Sequence, residues 1–296
     1  MSAPYSVSLA APVRNTLGEG CLWDSRTQTL FWVDVEGCSI HRLEPKTGTL
    51  ERWVLPERVG SVALRAGTGL VAALESGFAL IDLYPFAIHR LATPEADRPG
   101  NRFNDGRADH QGRFWSGTMD ASMRTPSGAL YRLNPDLSWA RMEEGVHISN
   151  SICWSPDSRT MYFADSIART IWAYDFHADT GAITGKRVFA TTEKGVVPDG
   201  STVDAQGYLW NAQWGGGRVR RYAPDGRAVM DVTVSAPQSS CCCFGGDDLA
   251  TLYVTSAQVG MSPAALERAP QAGAVFAVAF DPALGIRGIP EGRFGI

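Results

Sequence analysis

Leu30-Phe31-Trp32-Val33-Asp34 is the stretch that decides the fold, because five later segments of the chain repeat its character. Each is a short apolar and aromatic run of the kind that forms a buried β-strand. The copies are residues 70–73, 114–117, 162–165, 209–212 and 253–256. Corresponding positions are 39, 44, 48, 47 and 44 residues apart when they are counted along Trp32, Val71, Trp115, Phe163, Trp210 and Val254. This spacing is the period of a propeller blade.

A second strand-like segment follows each copy, as at residues 40–43 and 130–133, and most of these segments end at Pro, Asp or Gly. That pattern is typical of antiparallel hairpins. Helical periodicity is weak, and only residues 263–267 are expected to form a short helical turn. The sequence therefore predicts an all-β fold, a six-bladed β-propeller with four antiparallel strands per blade. We expect a strand from the first dozen residues to complete the last blade and, since no linker is visible, residues 1–296 to form a single domain.

Composition limits the partners. The 296 residues are 44% hydrophobic and 20% charged, with a net charge of -4 and no basic stripe. These values argue against nucleic acid and against a membrane surface as partners. The start of the chain lacks a basic region followed by an apolar segment, and the six cysteines have neither disulfide-scaffold density nor paired zinc-site spacing. We expect a cytoplasmic protein with reduced thiols, a small-molecule ligand, and a monomeric or weakly homo-oligomeric state.

Val197-Pro198-Asp199-Gly200-Ser201 is the first candidate for chemistry. Proline restricts its own backbone and that of the preceding residue, while glycine adopts angles that other residues avoid. The stretch therefore predicts a turn that holds the Asp199 carboxylate in a fixed direction. The alternative is that Pro-Asp-Gly is an ordinary turn with no functional role.

The repeat relates this aspartate to other polar residues. Asp199 and Asn104 each precede the anchor of their blade by 11 residues, and Asn150 and Glu19 precede theirs by 13. Because the innermost strands of a propeller surround its channel, equivalent positions near their starts should meet at one mouth. Two carboxylates and two amides suit a hard divalent cation. The alternative is that Asn, Asp and Gly recur there because each blade has a turn at that point.

Six short motifs are spread over nearly the whole chain: Leu17-Gly18-Glu19-Gly20, Arg102-Phe103-Asn104-Asp105-Gly106, Gly117-Thr118-Met119, Ser149-Asn150, Pro198-Asp199-Gly200 and Phe244-Gly245-Gly246. In order and spacing they resemble the senescence marker protein, regucalcin and gluconolactonase family. Motifs of other chemistries, such as Gly-x-Ser-x-Gly and His-Glu-x-x-His, are absent from the sequence.

The resemblance implies a propeller that hydrolyses a sugar lactone, such as a glucono-, xylono- or arabinonolactone, with one divalent metal ion (Ca, Zn, Mn, Mg or Fe(II)). It implies that Glu19, Asn150 and Asp199 are metal ligands and that Arg102 and Asn104 contact the substrate. The metal would polarise the lactone carbonyl, and Asp199 would also be the general base. A calcium-binding regulatory propeller without turnover is the alternative, and a pure interaction scaffold is a third possibility.

One position departs from the family pattern. Regucalcin-like members have an acidic pair after Gly-Thr-Met and one alanine, where this chain has Ala121-Ser122. The sugar-contacting glutamate of those members is therefore missing. We expect this difference to change the preferred lactone more than the class of reaction.

Overall fold

The strands carry almost the whole fold. The structure, a computed structural model, describes residues 4–295. In chain order the strands are β1 Tyr5–Ala11, β2 Gly18–Asp24, β3 Thr29–Asp34, β4 Ser39–Glu44, β5 Thr49–Val54, β6 Val59–Arg65, β7 Leu70–Leu74, β8 Gly77–Leu83, β9 Phe86–Ala92, β10 Asn101–Ala108, β11 Phe114–Asp120, β12 Gly128–Leu133, β13 Trp139–Val146, β14 Ser149–Trp154, β15 Thr160–Asp165, β16 Thr170–His177, β17 Ala182–Thr191, β18 Val197–Val203, β19 Leu209–Trp214, β20 Arg218–Tyr222, β21 Ala228–Thr233, β22 Ser239–Gly245, β23 Thr251–Ser256, β24 Val275–Phe280 and β25 Arg293–Phe294.

Helical structure within the described range is limited to one short helix, α1 (Pro263–Arg268), and a 3-10 turn at Pro282–Leu284. The helical turn expected at residues 263–267 is therefore confirmed. No helix in this part of the chain is long and apolar enough to cross a membrane.

The strands form six antiparallel sheets arranged as blades. Blades 1 to 5 are β2–β5, β6–β9, β10–β13, β14–β17 and β18–β21, and blade 6 is β22–β24 with β1. The predicted six-bladed β-propeller with four antiparallel strands per blade is thus confirmed. Blade 2 also carries β25, which pairs in parallel with β6. The N-terminal strand closes the ring as expected, with Tyr5 opposite Phe280 and Ala11 opposite Val275.

Position within the blade decides burial. The innermost strands β2, β6, β10, β14, β18 and β22 contact one another in turn around the axis. The six repeat anchors lie on the second strand of each blade, and their side chains are fully buried. Full burial of one large apolar side chain contributes about 1.5–3 kcal/mol, so the repeated anchors stabilise every blade. The fourth strands face solvent, as in β5, where exposed and half-buried residues alternate.

Every innermost strand contains a β-bulge near its first residues. In blade 1, Glu19 pairs with Val33 and Leu22 pairs with Phe31, so three steps along β2 face two along β3. The other five innermost strands also carry one extra residue each. Bulges bend a strand and redirect its side chains. The repeated bulge therefore determines where the polar residues at this end of the channel point.

The prediction of a turn at residues 198–200 is wrong. These residues lie inside β18, within its bulge, and they pair with β19. Gly200 does not have a positive φ angle. Glycine is required there for space, because a Cβ atom on Gly200 would lie 2.5 Å from Cys241 Sγ in the neighbouring blade.

Buried aspartates fasten the connection between the first and second strands of two blades. Asp204 is inaccessible to solvent, and its Oδ2 accepts hydrogen bonds from Trp210 Nε1 at 2.9 Å and Arg221 Nη2 at 2.6 Å. In blade 3, Asp109 accepts an equivalent bond from Trp115 Nε1 at 2.9 Å. Each carboxylate joins the turn to the anchor tryptophan, so it links local chain geometry to the core.

We expect Asp204→Ala to lower the free energy of unfolding by about 3 kcal/mol, because it leaves the Arg221 guanidinium buried without its counter-charge. Asp225→Ala is the control, since its pair with Arg227 is exposed and such pairs contribute about 0.5 kcal/mol or less. Chemical denaturation measures both. Equal losses for the two variants would contradict a structural role for the Asp204 cluster.

Candidate functional site

The candidate residues lie on the innermost strands of four blades. Glu19 is on β2, Asn104 on β10, Asn150 on β14 and Asp199 on β18, each within the first four residues of its strand. Their exposures are 7%, 8%, 3% and 5%, so all four are buried. The structure brings them together at one mouth of the channel, at the bulges described above.

Glu19 and Asp199 form a buried carboxyl pair, with their side chains in hydrogen-bonding contact. Burial, reinforced by the negative charge of Asp105, raises the pKa of Glu19 to about 8. Burial and the charge of Glu19 raise the pKa of Asp199 well above its ordinary value. At neutral pH the pair therefore holds at least one proton, because two adjacent carboxylates repel each other when both are ionised.

A divalent cation could replace that proton, since it would offset both carboxylate charges. Among residues 4–295 no three side chains of the His, Cys, Asp and Glu types are grouped so that they could hold a metal ion. A third protein ligand would therefore have to be an amide or carbonyl oxygen. Asn150 fits this requirement: its Nδ2 donates to Ser166 Oγ at 2.8 Å, so its Oδ1 lies on the other side, towards Asn104. Carboxylate and amide oxygens are ligands that hard cations accept.

Asn104 and Arg102 extend this set on blade 3. Asn104 Nδ2 donates to Ser149 O at 3.0 Å and to Asn150 Oδ1 at 3.3 Å. Its Oδ1 accepts from Arg102 Nη1 at 2.7 Å. Nη1 is the one nitrogen of the Arg102 guanidinium that has a partner within the described chain, its second being Phe103 O at 3.0 Å. Nε and Nη2 therefore have no hydrogen-bond partner among residues 4–295, and the guanidinium is close enough to Glu19 to lower the pKa of that carboxyl.

Three polar residues that the sequence analysis did not identify support Asp199. Its backbone oxygen accepts from Ser151 Oγ at 2.5 Å and from Asn211 Nδ2 at 2.9 Å. Ser166 Oγ donates to the oxygen of Pro198 at 2.8 Å, which links the Asn150 side chain to the Asp199 strand. Asn211 is a polar residue within the repeated apolar strand segment at residues 209–212, and this exception could have identified it from the sequence. Nothing in the spacing of Ser151 or Ser166 marks them.

Asp105 lies beside the carboxyl pair, but its oxygens are occupied. Oδ1 accepts from the backbone N of Gly106 at 2.9 Å, and Oδ2 accepts from the backbone N of Ile152 at 3.0 Å. Burial raises the pKa of this carboxyl. Asp105 joins β10 to β14 through backbone groups and so holds the site in place. With both oxygens occupied, it is poorly placed to accept a proton from a ligand.

The opposite end of the channel is closed by the C-terminal segment. Glu291 accepts two hydrogen bonds from Arg107 Nη1, at 2.8 and 2.9 Å, on the inner wall of blade 3. The cavity between this ion pair, Cys21 and Asp105 measures about 10 Å³, which is no more than one water needs. The channel is therefore filled at this end, and we expect a ligand to approach from the end that holds Glu19 and Asp199.

Residues 121 and 122, where regucalcin-like proteins have an acidic pair, lie in a loop that follows β11. Ser122 Oγ donates to both oxygens of Asp120, at 2.7 and 2.9 Å. The same carboxylate accepts the backbone N–H groups of Arg124 at 3.1 Å and Thr125 at 3.0 Å. Asp120 is therefore committed to shaping its own loop, and residues 121 and 122 contribute no carboxylate to the mouth.

A larger cavity of about 720 Å³ lies at the other end of blades 1 and 2, away from these residues. Its wall includes Arg26, which is bound to the oxygens of Ala66 at 2.8 Å and Gly67 at 3.0 Å, and Arg42, which is paired with Glu51 at 3.0 Å. Since its cationic groups are already paired, this cavity has fewer free polar groups for a ligand than the site at Glu19 and Asp199.

Fold and site together define a class: a six-bladed propeller with an oxygen-rich, buried carboxyl centre at one mouth of its channel. The family model of the SMP-30/Gluconolactonase/LRE-like region matches residues 17–258. The chain belongs to this family.

Similar proteins span the same length. L-arabinolactonase of Azospirillum brasilense is 43% identical over 274 residues, covering 91% of this chain and 90% of that protein. Regucalcin of Danio rerio is 38% identical over 281 residues, covering 94% of each. The crystal structure of a calcium-binding protein, regucalcin, from Agrobacterium tumefaciens superposes with a TM-score of 0.93 at 32% identity, covering 99% of this chain and 98% of that one. The family resemblance noted in the sequence is thus confirmed, and the family includes lactonases.

Cation binding should release protons. At pH 7 the Glu19–Asp199 pair is protonated because both pKa values are raised, so a divalent cation has to displace roughly one proton or more. Calorimetry in buffers of different ionisation enthalpy measures this number. Glu19→Gln removes one of the two carboxyl groups that bind protons and the cation, while burial still raises the pKa of Asp199, so we expect weaker cation binding and release of fewer protons. An unchanged affinity of Glu19→Gln for the cation would show that Glu19 is not a metal ligand.

Proposed function

We propose that this protein hydrolyses a sugar lactone, an aldonolactone such as glucono-, xylono- or arabinonolactone, to the sugar acid with one divalent metal ion. The observation that carries the proposal is the buried Glu19–Asp199 pair beside the unused donors of Arg102. The lactonase among the similar proteins, alike over nine-tenths of both chains, supports the reaction class. The metal identity stays open among Ca, Zn, Mn, Mg and Fe(II).

Glu19, Asn150 and Asp199 would hold the cation, and the bound cation would supply Lewis-acid polarisation of the lactone carbonyl. The two carboxylates would balance its charge and leave the site near neutral. Their burial keeps competing water away and strengthens each electrostatic interaction, since the effective dielectric constant is lower than in water.

Arg102 and Asn104 would orient the substrate. The free Nε and Nη2 of Arg102 are donors without a competing internal acceptor, so they suit hydroxyl or carbonyl oxygens of a sugar lactone. Asn104 is held by Arg102, Ser149 and Asn150, so its position is fixed before the substrate arrives. Preorganised donors of this kind stabilise the charge that develops on the carbonyl oxygen.

Asp199 would accept the proton of the attacking water. A base has to be ionised before it acts, whereas burial and the charge of Glu19 raise the pKa of Asp199 and favour its protonated form. Cation binding and activation of the base are therefore coupled. The hydrogen bonds from Ser151 and Asn211 to its backbone oxygen hold the strand in place during this transfer.

Asp199→Asn separates these two roles. Asparagine keeps an oxygen for the cation but cannot accept a proton, so we expect weaker metal binding that still saturates. At saturation the rate of lactone loss should stay at least about a hundredfold below the parent. A pH-indicator assay measures the rate, with Asp225→Asn on the surface as control. Near-parental turnover at saturating metal would make Asp199 a ligand only.

Arg102→Ala tests the substrate role. Because a guanidinium is not a cation ligand, we expect the metal affinity to stay close to that of the parent while kcat/KM falls by about tenfold or more. Arg227→Ala, at an exposed position, is the matched control. Loss of metal together with activity would show that Arg102 acts on the site as a whole.

A calcium-binding regulatory propeller without turnover is the second candidate. It is favoured by the similarity to the regucalcin of Agrobacterium tumefaciens, which is a calcium-binding protein. A panel of five- and six-carbon aldonolactones, each assayed with several divalent ions and with chelator, separates the two candidates. Calcium binding without chelator-sensitive hydrolysis of any lactone would favour the second.

We place the protein in the cytoplasm, with a small molecule rather than a nucleic acid or membrane as its partner. All six cysteines are free thiols, and five of them are buried. Free thiols in this number suit a reducing compartment.

A further inference from the structure

Trp214 stands at the same end of blade 5 as Asp199. It is the last residue of β19 and pairs with Val197, two residues before Asp199 on the neighbouring strand. Its side chain is half-buried, whereas the anchor of the same strand, Trp210, is fully buried. The mouth of the channel therefore carries a large aromatic group that the core does not fully enclose.

The indole reaches away from its own blade. It packs against the apolar cluster that includes Leu17 and Ala257, together with half-buried Val259. Leu17 directly precedes the Gly18-Glu19 segment of blade 1. The backbone of Trp214 also forms a β-bridge with Gln238, the residue before β22, so Trp214 packs outside its own blade beside the start of blade 6.

Blade 6 leaves room for this arrangement. Its innermost strand begins with Ser239 and Ser240, whose side chains are small and fully buried. Ser240 Oγ donates to the backbone oxygen of Gly18, so this strand lies close under blade 1. The long side chain of Gln238, the residue before this strand, is turned away onto the oxygen of Val259, to which its Nε2 donates at 3.1 Å.

The polar edge of the indole is free. Trp214 Nε1 has no hydrogen-bond partner among residues 4–295, and it is not enclosed, in contrast to Nε1 of Trp23 and of Trp154. An indole that is packed on one side and has an accessible, unpartnered N–H can give a ligand both apolar contact and one hydrogen bond.

The sectors of the ring are complementary. Arg102 and Asn104 belong to blade 3, which lies opposite blade 6 in a ring of six. The mouth thus combines donors on blade 3, the carboxyl pair on blades 1 and 5, and an aromatic side chain at the end of blade 5 next to blade 6. Ligand sites typically combine apolar and aromatic walls with a few placed polar groups.

We propose that Trp214 forms the aromatic wall of the substrate subsite, where its ring packs against the C–H face of a sugar lactone and Nε1 donates to a ring hydroxyl. This inference rests on the proposed function and names a specificity-determining residue for it. A five- or six-membered lactone ring has one such face, while an open-chain ester does not, so the wall would favour cyclic over acyclic substrates.

Two substitutions test the wall. Trp214→Leu removes the aromatic surface and should raise KM for the preferred lactone about tenfold while kcat changes less than about threefold. Trp214→Phe keeps an aromatic surface but loses the donor, so its KM should lie between those of the parent and Trp214→Leu. Trp53→Leu is the control, because Trp53 is half-buried against the same apolar cluster but lies on the outer strand β5.

Binding is measured separately from turnover by titrating each protein with the sugar acid product and following tryptophan fluorescence. We expect a saturable change in the parent and in Trp53→Leu that is absent in Trp214→Phe and Trp214→Leu. Circular dichroism and thermal unfolding establish that the variants are folded. If Trp214→Leu does not fold, both the KM and the fluorescence titration are measured on Trp214→Phe.

A KM in folded Trp214→Leu within about twofold of the parent, or a fluorescence change that survives in Trp214→Phe, would overturn the aromatic wall while leaving the lactonase proposal intact. Failure of the parent to hydrolyse any lactone would overturn the proposed function instead. In that case the parent fluorescence titration with lactones and sugar acids still decides the subsite: no response overturns it as well.

Discussion

The contact between the carboxyl groups of Glu19 and Asp199 is the constraint on which the rest of the site depends. Two buried carboxyls in contact are stable only when they share protons or face a cation, because desolvation and mutual repulsion both oppose ionisation. The strands that carry them belong to blades 1 and 5, with blade 6 between. Small residues at the start of blade 6, and Gly200 against Cys241, are what allow the approach.

Such a contact needs a scaffold that does not relax. The bulges direct the side chains, and a series of buried hydrogen bonds then fixes them: Arg102 to Asn104, Asn104 to Asn150, Asn150 to Ser166, and Ser166 to the strand of Asp199. Each bond joins one blade to itself or to the next. Ring closure by β1 opposes spreading of the blades, and the C-terminal segment fills the far end of the channel.

The site has a connected polar centre and an edge that adds no charge. The carboxyl pair, the two asparagines and Arg102 form one connected cluster, while Ser122 is turned onto Asp120 and adds no charge to the mouth. A substrate would therefore be recognised by Arg102 and Asn104 on one side and by uncharged groups elsewhere. This arrangement is consistent with a common reaction and a substrate preference specific to this chain.

The sequence by itself determined the blade count and the residues at the mouth, because both depend on a local period: an apolar anchor returns every 39 to 48 residues, and Glu19, Asn104, Asn150 and Asp199 hold nearly constant offsets from it. Only the tertiary structure decided how those residues meet. Pro198-Asp199-Gly200 suggested a turn, but strand pairing with β19 makes it a bulge, since pairing depends on a partner elsewhere in the chain. The carboxyl contact, the support from Ser151 and Ser166, and the position of Trp214 likewise join segments that only ring closure brings together.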